Sequence, residues 1–354
     1  MDASVVFFSA GHPKSYSETN FMGFFAIDED RCLNYNYKIS GCRRCRDICP
    51  QSCWDEAGRA EPERCDACGL CQAVCPVDAI GVEGISVTAW NEAAGRSGDL
   101  QLSCRRYGGG PWACLGFLNA RDLIALAWQE QDKTPRDIVV YDNRCHECKS
   151  AVARHLESEI AAAQTFLSHF GAGRVMHGEK PPPPESETNT IDRRSFFTSL
   201  FSSGVKTVRN VMWPEDGVVP LPKAQWRARI LRDRGRGESS GTQSVFPALS
   251  VAQTCIACGL CAKICPVKAL TAEEKETLLE LRHSPLLCTA CGLCVEHCPE
   301  SSILLLPEGE LPQRLVIAQD FPRCNECGEA FQPAGRQLTC FECLMKGRRS
   351  LFEP

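Results

Sequence analysis

Three stretches of this chain are copies of one twelve-residue pattern, C-x2-C-x2-C-x3-C-P: CDACGLCQAVCP at 65–76, CIACGLCAKICP at 255–266 and CTACGLCVEHCP at 288–299. Few features constrain a fold as tightly. Four thiols this close together converge on metal, and at this spacing three thiolates wrap one cubane iron–sulfur cluster while the fourth ligates a neighbouring one. A glycine follows the second cysteine in each copy (Gly69, Gly259, Gly292), suiting a backbone that turns tightly and approaches the inorganic core. Proline after the fourth cysteine (Pro76, Pro266, Pro299) fixes φ and removes a donor.

A fourth set is irregular. Cys42, Cys45 and Cys49-Pro50 stand as second, third and fourth ligands, but Ile39 occupies the place of the first. Cys32 completes a C-x9-C-x2-C-x3-C-P motif with an enlarged loop and is the expected ligand. Two alternatives stay open: Cys53 joining from the far side, or a three-iron cluster. With the fourth cysteines crossing over, the expected ligand sets in the first half are Cys32, Cys42, Cys45, Cys75 and Cys65, Cys68, Cys71, Cys49. In the second half they are Cys255, Cys258, Cys261, Cys298 and Cys288, Cys291, Cys294, Cys265.

Both segments resemble bacterial two-cluster ferredoxins. The resemblance implies pseudo-symmetric hairpin and helix units around two four-iron clusters, and one-electron transfer as the activity. The stretches VDAIGV and VKALTA, after the fourth cysteines, read as a short helix and a returning strand. Such modules are held together largely by metal and are not expected to fold without it.

The 25 cysteines in 354 residues are spaced as ligands rather than disulfides and must stay reduced, which points to the cytoplasm. No basic stretch opens the chain, and no run of about 18 apolar residues predicts a membrane span. The formal charge is −5. Four oxidised clusters take it to about −13, which argues against nucleic acid as a partner.

Residues 98–178 read as a small α/β domain. Cys104 and Cys114 bracket the glycine-rich RRYGGGPWA, and Cys145 and Cys148 bracket His146 and Glu147. ARDLIALAWQEQ and AVARHLESEIAAAQTFLSHFG have helical periodicity, and DIVVYD reads as a strand. The segment resembles the iron–sulfur delta subunit of methyl-viologen-reducing hydrogenases, matched by Cys114-Leu115-Gly116, the strand at 138–141 and Cys145-His146…Cys148. That resemblance implies a [2Fe-2S] cluster at Cys104, Cys114, Cys145 and Cys148; a four-iron cluster, zinc and a bare dithiol are the alternatives. His146 reads as a loop or outer residue rather than a ligand, since four thiols are available.

The sixth set, Cys324-x2-Cys327-x12-Cys340-x2-Cys343, has zinc-ribbon spacing, for which two hairpins packing over one zinc ion are expected; a one-iron or two-iron site is the alternative. EKPPPPESETNT at 179–190 reads as an exposed linker. Within 191–246, Phe197, Leu200, Phe201, Val208, Val211 and Met212 share a helical face suited to a partner subunit or to the chain's own modules, with a membrane surface as the remaining alternative.

The expected fold class is therefore α+β. It comprises a first two-cluster module (28–90), the α/β four-Cys domain (98–178), the linker (179–190), the amphipathic segment and surface loop (191–246), a second two-cluster module (247–308) and a zinc-ribbon-like module (315–350). The sequence has no G-x-G-x-x-G after a strand, no P-loop and no C-x3-C-x2-C triplet outside the cluster motifs, so neither a nucleotide site nor catalytic residues are expected. The expected function is electron transfer by a non-catalytic subunit of a multisubunit anaerobic oxidoreductase, with redox proteins as partners. An accessory factor supplying electrons or clusters to a metalloenzyme is the alternative. Asp66 and Asp78 in the first module, against Ile256, Lys263 and Lys268 in the second, predict that electrons rest on the second.

Overall fold

The computed structural model describes residues 25–37, 41–55, 61–85, 87–96, 98–128, 136–170, 173–181, 242–243, 245–307, 309–310, 314–333 and 337–349. Nearly all of the expected linker and amphipathic segment lies outside them.

The first module opens with β1 (Phe25–Ile27), antiparallel to β2 (Ile80–Val82) with Ile27 opposite Ile80. It thus begins before residue 28. Between the strands run helices α1 (Leu33–Asn36), α2 (Arg44–Ile48) and α3 (Leu70–Val74). The helix expected after the fourth cysteine is absent there: α3 precedes Cys75, and a turn then leads to β2. Proline explains the difference, because the residue before it is pushed out of the helical region. Cys75 has φ −66° and ψ 117°, and Cys49 has φ −72° and ψ 113°.

After α4 (Val87–Gly95) comes a parallel sheet, β3 (Leu100–Leu102), β4 (Ile138–Val140) and β5 (Val175–His177), in the order β3-β4-β5. Short helices α5 (Arg105–Gly108) and α7 (Cys145–Cys148) follow β3 and β4; α6 (Ala120–Trp128) and α8 (Ser150–Phe170) complete the layer. Helices and parallel strands alternate through this stretch. Cys104 and Cys145 therefore lie beyond the carboxyl ends of adjacent parallel strands, where sites form in open α/β sheets.

The first module and the α/β domain are not separate bodies. One apolar core runs through both, containing Leu70, Ile80 and Val82 together with Trp90, Trp112 and Phe117. The rings of Trp90 and Phe117 meet edge to face at 6.0 Å. Gly69 marks the closest approach: a Cβ there would sit 2.7 Å from Ile85 Cδ1 and 2.9 Å from Phe117 N, and its φ of +84° already favours glycine.

The second half carries β6 (Thr242–Gln243), β7 (Ala248–Val251), β8 (Leu270–Glu274), β9 (Leu278–His283), β10 (Ile303–Leu306), β11 (Gly309–Glu310) and β12 (Arg314–Asp320). The β7–β10 pair repeats β1–β2, while β12-β9-β8 forms an added antiparallel sheet. Strand β12 thus joins the second module, through pairing with β9, rather than opening a C-terminal unit at residue 315. Phe246 fastens this half to the α/β domain: it is fully buried, lies 5.0 Å from the Phe166 ring and sits under the Arg121 guanidinium at 5.5 Å.

Candidate metal centres

The two modules share a backbone code that their residue types conceal. Positive φ occurs at Ser52, Asp78, Lys268 and Ser301, each three residues after a fourth cysteine, and at Ala67, Ala257 and Ala290, each just before a second cysteine. These are strained positions for residues with a Cβ and persist only where the surroundings over-determine them. The next amide supplies a reason. It donates to the fourth cysteine's sulfur: Cys53 N to Cys49 Sγ (3.5 Å), Ala79 N to Cys75 (3.2 Å), Ala269 N to Cys265 (3.2 Å) and Ser302 N to Cys298 (3.3 Å). Amides aimed at sulfur favour the thiolate that a cluster requires.

The same register compares Cys32 with Cys53. Asp28 N donates to Ala79 O and Cys32 N to Asp28 O; in the second module Ala252 N donates to Ser302 O and Cys255 N to Ala252 O. Arg31 N also donates to Asp28 O, the bond that Cys255 N makes to Ala252 O, so Cys32 lies on the turn of Cys255 but one residue further on, whereas Cys53 occupies the place of Ala79, Ala269 and Ser302. Burial, then the thiols of Cys75, Cys42 and Cys32, push the Cys45 thiol up to about 12. Cys53, only 3% exposed, is raised first by burial and then by Cys49, with Cys65 also adjacent. The enlarged loop changes one detail: Arg43, in the place of Gly69, has φ −124°, so no glycine is needed.

In the second module the cysteines line two small cavities. Cys265, Cys288, Cys291 and Cys294 surround one; Cys255, Cys258, Cys261 and Cys298 surround the other. Burial and neighbouring thiols push Cys261 and Cys294 each up to about 12. Such crowded thiols stay protonated in the bare chain, so cluster loading releases protons and stabilises the fold. The donor set, the cavities and the amide bonds all suit iron–sulfur clusters.

Residues 254–302 match the 4Fe-4S dicluster domain, 60–81 a 4Fe-4S binding domain and 29–52 another 4Fe-4S binding domain. The chain carries ferredoxin-type iron–sulfur domains. The match at 29–52 includes Cys32 and stops before Cys53. Over 57 residues the chain is also 33% identical to pyruvate synthase subunit PorD of Methanothermobacter marburgensis, covering 16% of this chain and 62% of that subunit.

The sulfur sets adjoin one another in series. Cys45 and Cys49 both bear on Cys71. Cys32, Cys42 and Cys75 pack with Cys291 around buried Leu33, Val77, Ala79 and Leu293, a patch belonging to both modules. Across that patch Arg44 donates to the carbonyls of Thr289 (3.2 Å) and Ala290, and Tyr37 Oη to Ile264 O (3.3 Å).

At the other end, Cys114 adjoins Cys68. Lys149 pairs with Asp66 at 3.1 Å and lies near both sulfurs. Burial, then Cys114, Asp142, Cys104 and Cys148, push Cys145 up to about 12, so the other three middle thiols lie near enough to Cys145 to bear on it. Cys148 is exposed, and Arg106 Nη1 approaches its sulfur at 3.4 Å. His146 instead meets Glu157 at 2.9 Å, away from a ligand's role.

The sulfurs of Cys324, Cys327, Cys340 and Cys343 lie within 4.8 Å of one another. The 3.8 Å between Cys327 and Cys340 Sγ matches the edge of a thiolate tetrahedron about 2.3 Å in radius, which is about 3.8 Å. Amides of Cys340 and Glu326 hold Cys324 down to about 6. The second cysteine pair does not sit on a hairpin as expected: Cys343 lies in the helix Phe341–Arg349, which Cys340 precedes. No helix among the described residues is long and apolar enough to cross a membrane.

Sequence reasoning missed the αL positions, the inter-module bonds and two buried polar groups beside a cavity, His283 and Thr289. For His283 a signal existed. In LLELRH, alternation places it on the face of Leu279 and Leu281.

Proposed function

We propose that this chain is the electron-conducting subunit of a multisubunit oxidoreductase. The observation that carries the reading is the series of adjoining sulfur sets: the middle site beside Cys68, Cys71 beside Cys45, and Cys42 and Cys75 packed with Cys291. Four [4Fe-4S] clusters, with the four crossed ligand sets given above, make a relay running the length of the folded unit. Each step is a one-electron transfer between neighbours, and substrate chemistry belongs to a partner subunit. Likeness to a named subunit of pyruvate synthase supports an assembly of this kind. The many reduced thiols favour the cytoplasm as its compartment.

At the relay's exposed end, Cys104, Cys114, Cys145 and Cys148 hold a [2Fe-2S] cluster of the hydrogenase delta-subunit type. Arg106 beside Cys148 offers positive charge to an acidic electron donor or acceptor. At the C-terminus, four thiolates at tetrahedral spacing hold zinc, which is not redox-active and serves structure or docking.

Iron, sulfide and zinc per chain on anaerobically purified full-length protein, followed by low-temperature paramagnetic resonance during stepwise reduction, test the reading. About 16 to 18 irons, one zinc and mutually interacting four-iron signals are expected. About eight irons with several zincs would break the relay and overturn it.

A further inference from the structure

The two cavities of the second module differ in one respect that bears on the direction of electron flow. Strand β9 passes both, presenting alternate residues to the core. Leu281 lines the cavity of Cys255, Cys258, Cys261 and Cys298; His283, two residues on and on the same face, lines that of Cys265, Cys288, Cys291 and Cys294. His283 is 2% exposed, and its Nε2 has no hydrogen-bond partner in the protein. Thr289, between two ligand cysteines of the same cavity, has a buried Oγ1 that also lacks a partner. The hydroxyl nearest the other cavity is satisfied, since Ser302 Oγ and Thr254 Oγ1 bond at 2.8 Å.

A buried polar group without a partner carries a desolvation penalty of about 1–3 kcal/mol. Two such groups on the wall of one cavity indicate an acceptor inside it. The proposed clusters carry sulfide at their corners, and hydrogen bonds to cluster sulfur favour the reduced, more negative state. We propose that His283 Nε2–H and Thr289 Oγ1–H donate to sulfides of the cluster held by Cys265, Cys288, Cys291 and Cys294, making it the electron-resting site of the relay.

This inference rests on the four-cluster reading and adds an order of potentials to it. Its geometry is consistent with entry from the first module, because the loop carrying two of this cavity's cysteines is the one that Arg44 of the first module reaches. That guanidinium reaches the Thr289 and Ala290 carbonyls within the Cys288–Cys291 loop. The cluster that receives electrons across the module interface is then also the one that holds them, and the cluster of Cys255, with Leu281 in place of an imidazole, lies uphill beyond it.

The test compares wild type, His283→Leu and Thr289→Val as full-length holoproteins in a redox titration followed by paramagnetic resonance. Each variant is expected to keep its iron content and to move one four-iron signal to lower potential. His283→Leu should cut that cluster's reduced-to-oxidised ratio at fixed poise about tenfold, or about 59 mV, and Thr289→Val should move the same signal in the same direction by less. An exchangeable proton coupled to that signal should vanish in His283→Leu. Should His283→Leu fail to load iron, Thr289→Val alone decides. Full iron with unmoved midpoints overturns this inference and leaves the relay standing, whereas wild type lacking four-iron signals overturns the relay itself.

Discussion

The backbone amide of Cys53 donates to the sulfur of Cys49 at 3.5 Å, the bond that Ser302 makes to Cys298 at 3.3 Å in the other module. A cysteine in that register is an amide donor by position, whatever its side chain. Cys53→Ala should therefore retain the full iron complement. Cys32→Ala should lose one cluster, about four irons per chain. Iron and sulfide analysis of the two purified variants distinguishes them, and the reverse pattern would make Cys53 the ligand.

Gly69 combines a φ of +84° with neighbours at 2.7 and 2.9 Å from where a Cβ would lie, one of them the Phe117 backbone. Gly69→Ala should destabilise the holoprotein by about 2–4 kcal/mol through strain and overpacking. Gly41, on the enlarged loop, has nothing within 4 Å, and Gly41→Ala should stay within about 0.5 kcal/mol of wild type. Anaerobic thermal melts of the pair measure the contrast.

Phe246 is the apolar bolt between the second module and the α/β domain. Phe246→Ala removes its contact with Phe166 and the seat of Arg121, and should cost about 3–5 kcal/mol. The loss should appear as a lower unfolding temperature with unchanged iron at 4 °C. An unaltered melt would mean that the two parts are not joined there.

The four C-terminal sulfurs lie within 4.8 Å of one another, the spacing on which the zinc proposal rests. Cys327→Ser should remove one zinc per chain and leave iron and all resonance signals as they were. Loss of an iron–sulfur signal in this variant would instead assign the site to the relay.

The ferredoxin-type domains were legible along the chain because a cluster motif is local: thiols at fixed spacing, with glycine and proline where the backbone turns and stops. A helix in ARDLIALAWQEQ and a strand in DIVVYD were equally legible from periodicity, and they stand at Ala120–Trp128 and Ile138–Val140. What stayed hidden is of two kinds. Positive φ at Ser52, Asp78, Lys268 and Ser301 has no signature in residue type, since it accompanies the next residue's amide reaching back to the sulfur of the fourth cysteine. The second kind depends on contacts distant in sequence. Arg44 meets Thr289 across 245 positions, and β12 left the C-terminal site to pair with β9.

The sequence by itself singled out the thiols proposed as metal ligands, because thiol spacing and covalent geometry leave a short loop little choice. Only the tertiary structure decided the order of the sites and the placing of His283 beside one cavity and Leu281 beside the other. Those relations arise from burial of apolar surface between modules and from strand register, and neither is written in any local stretch of the chain.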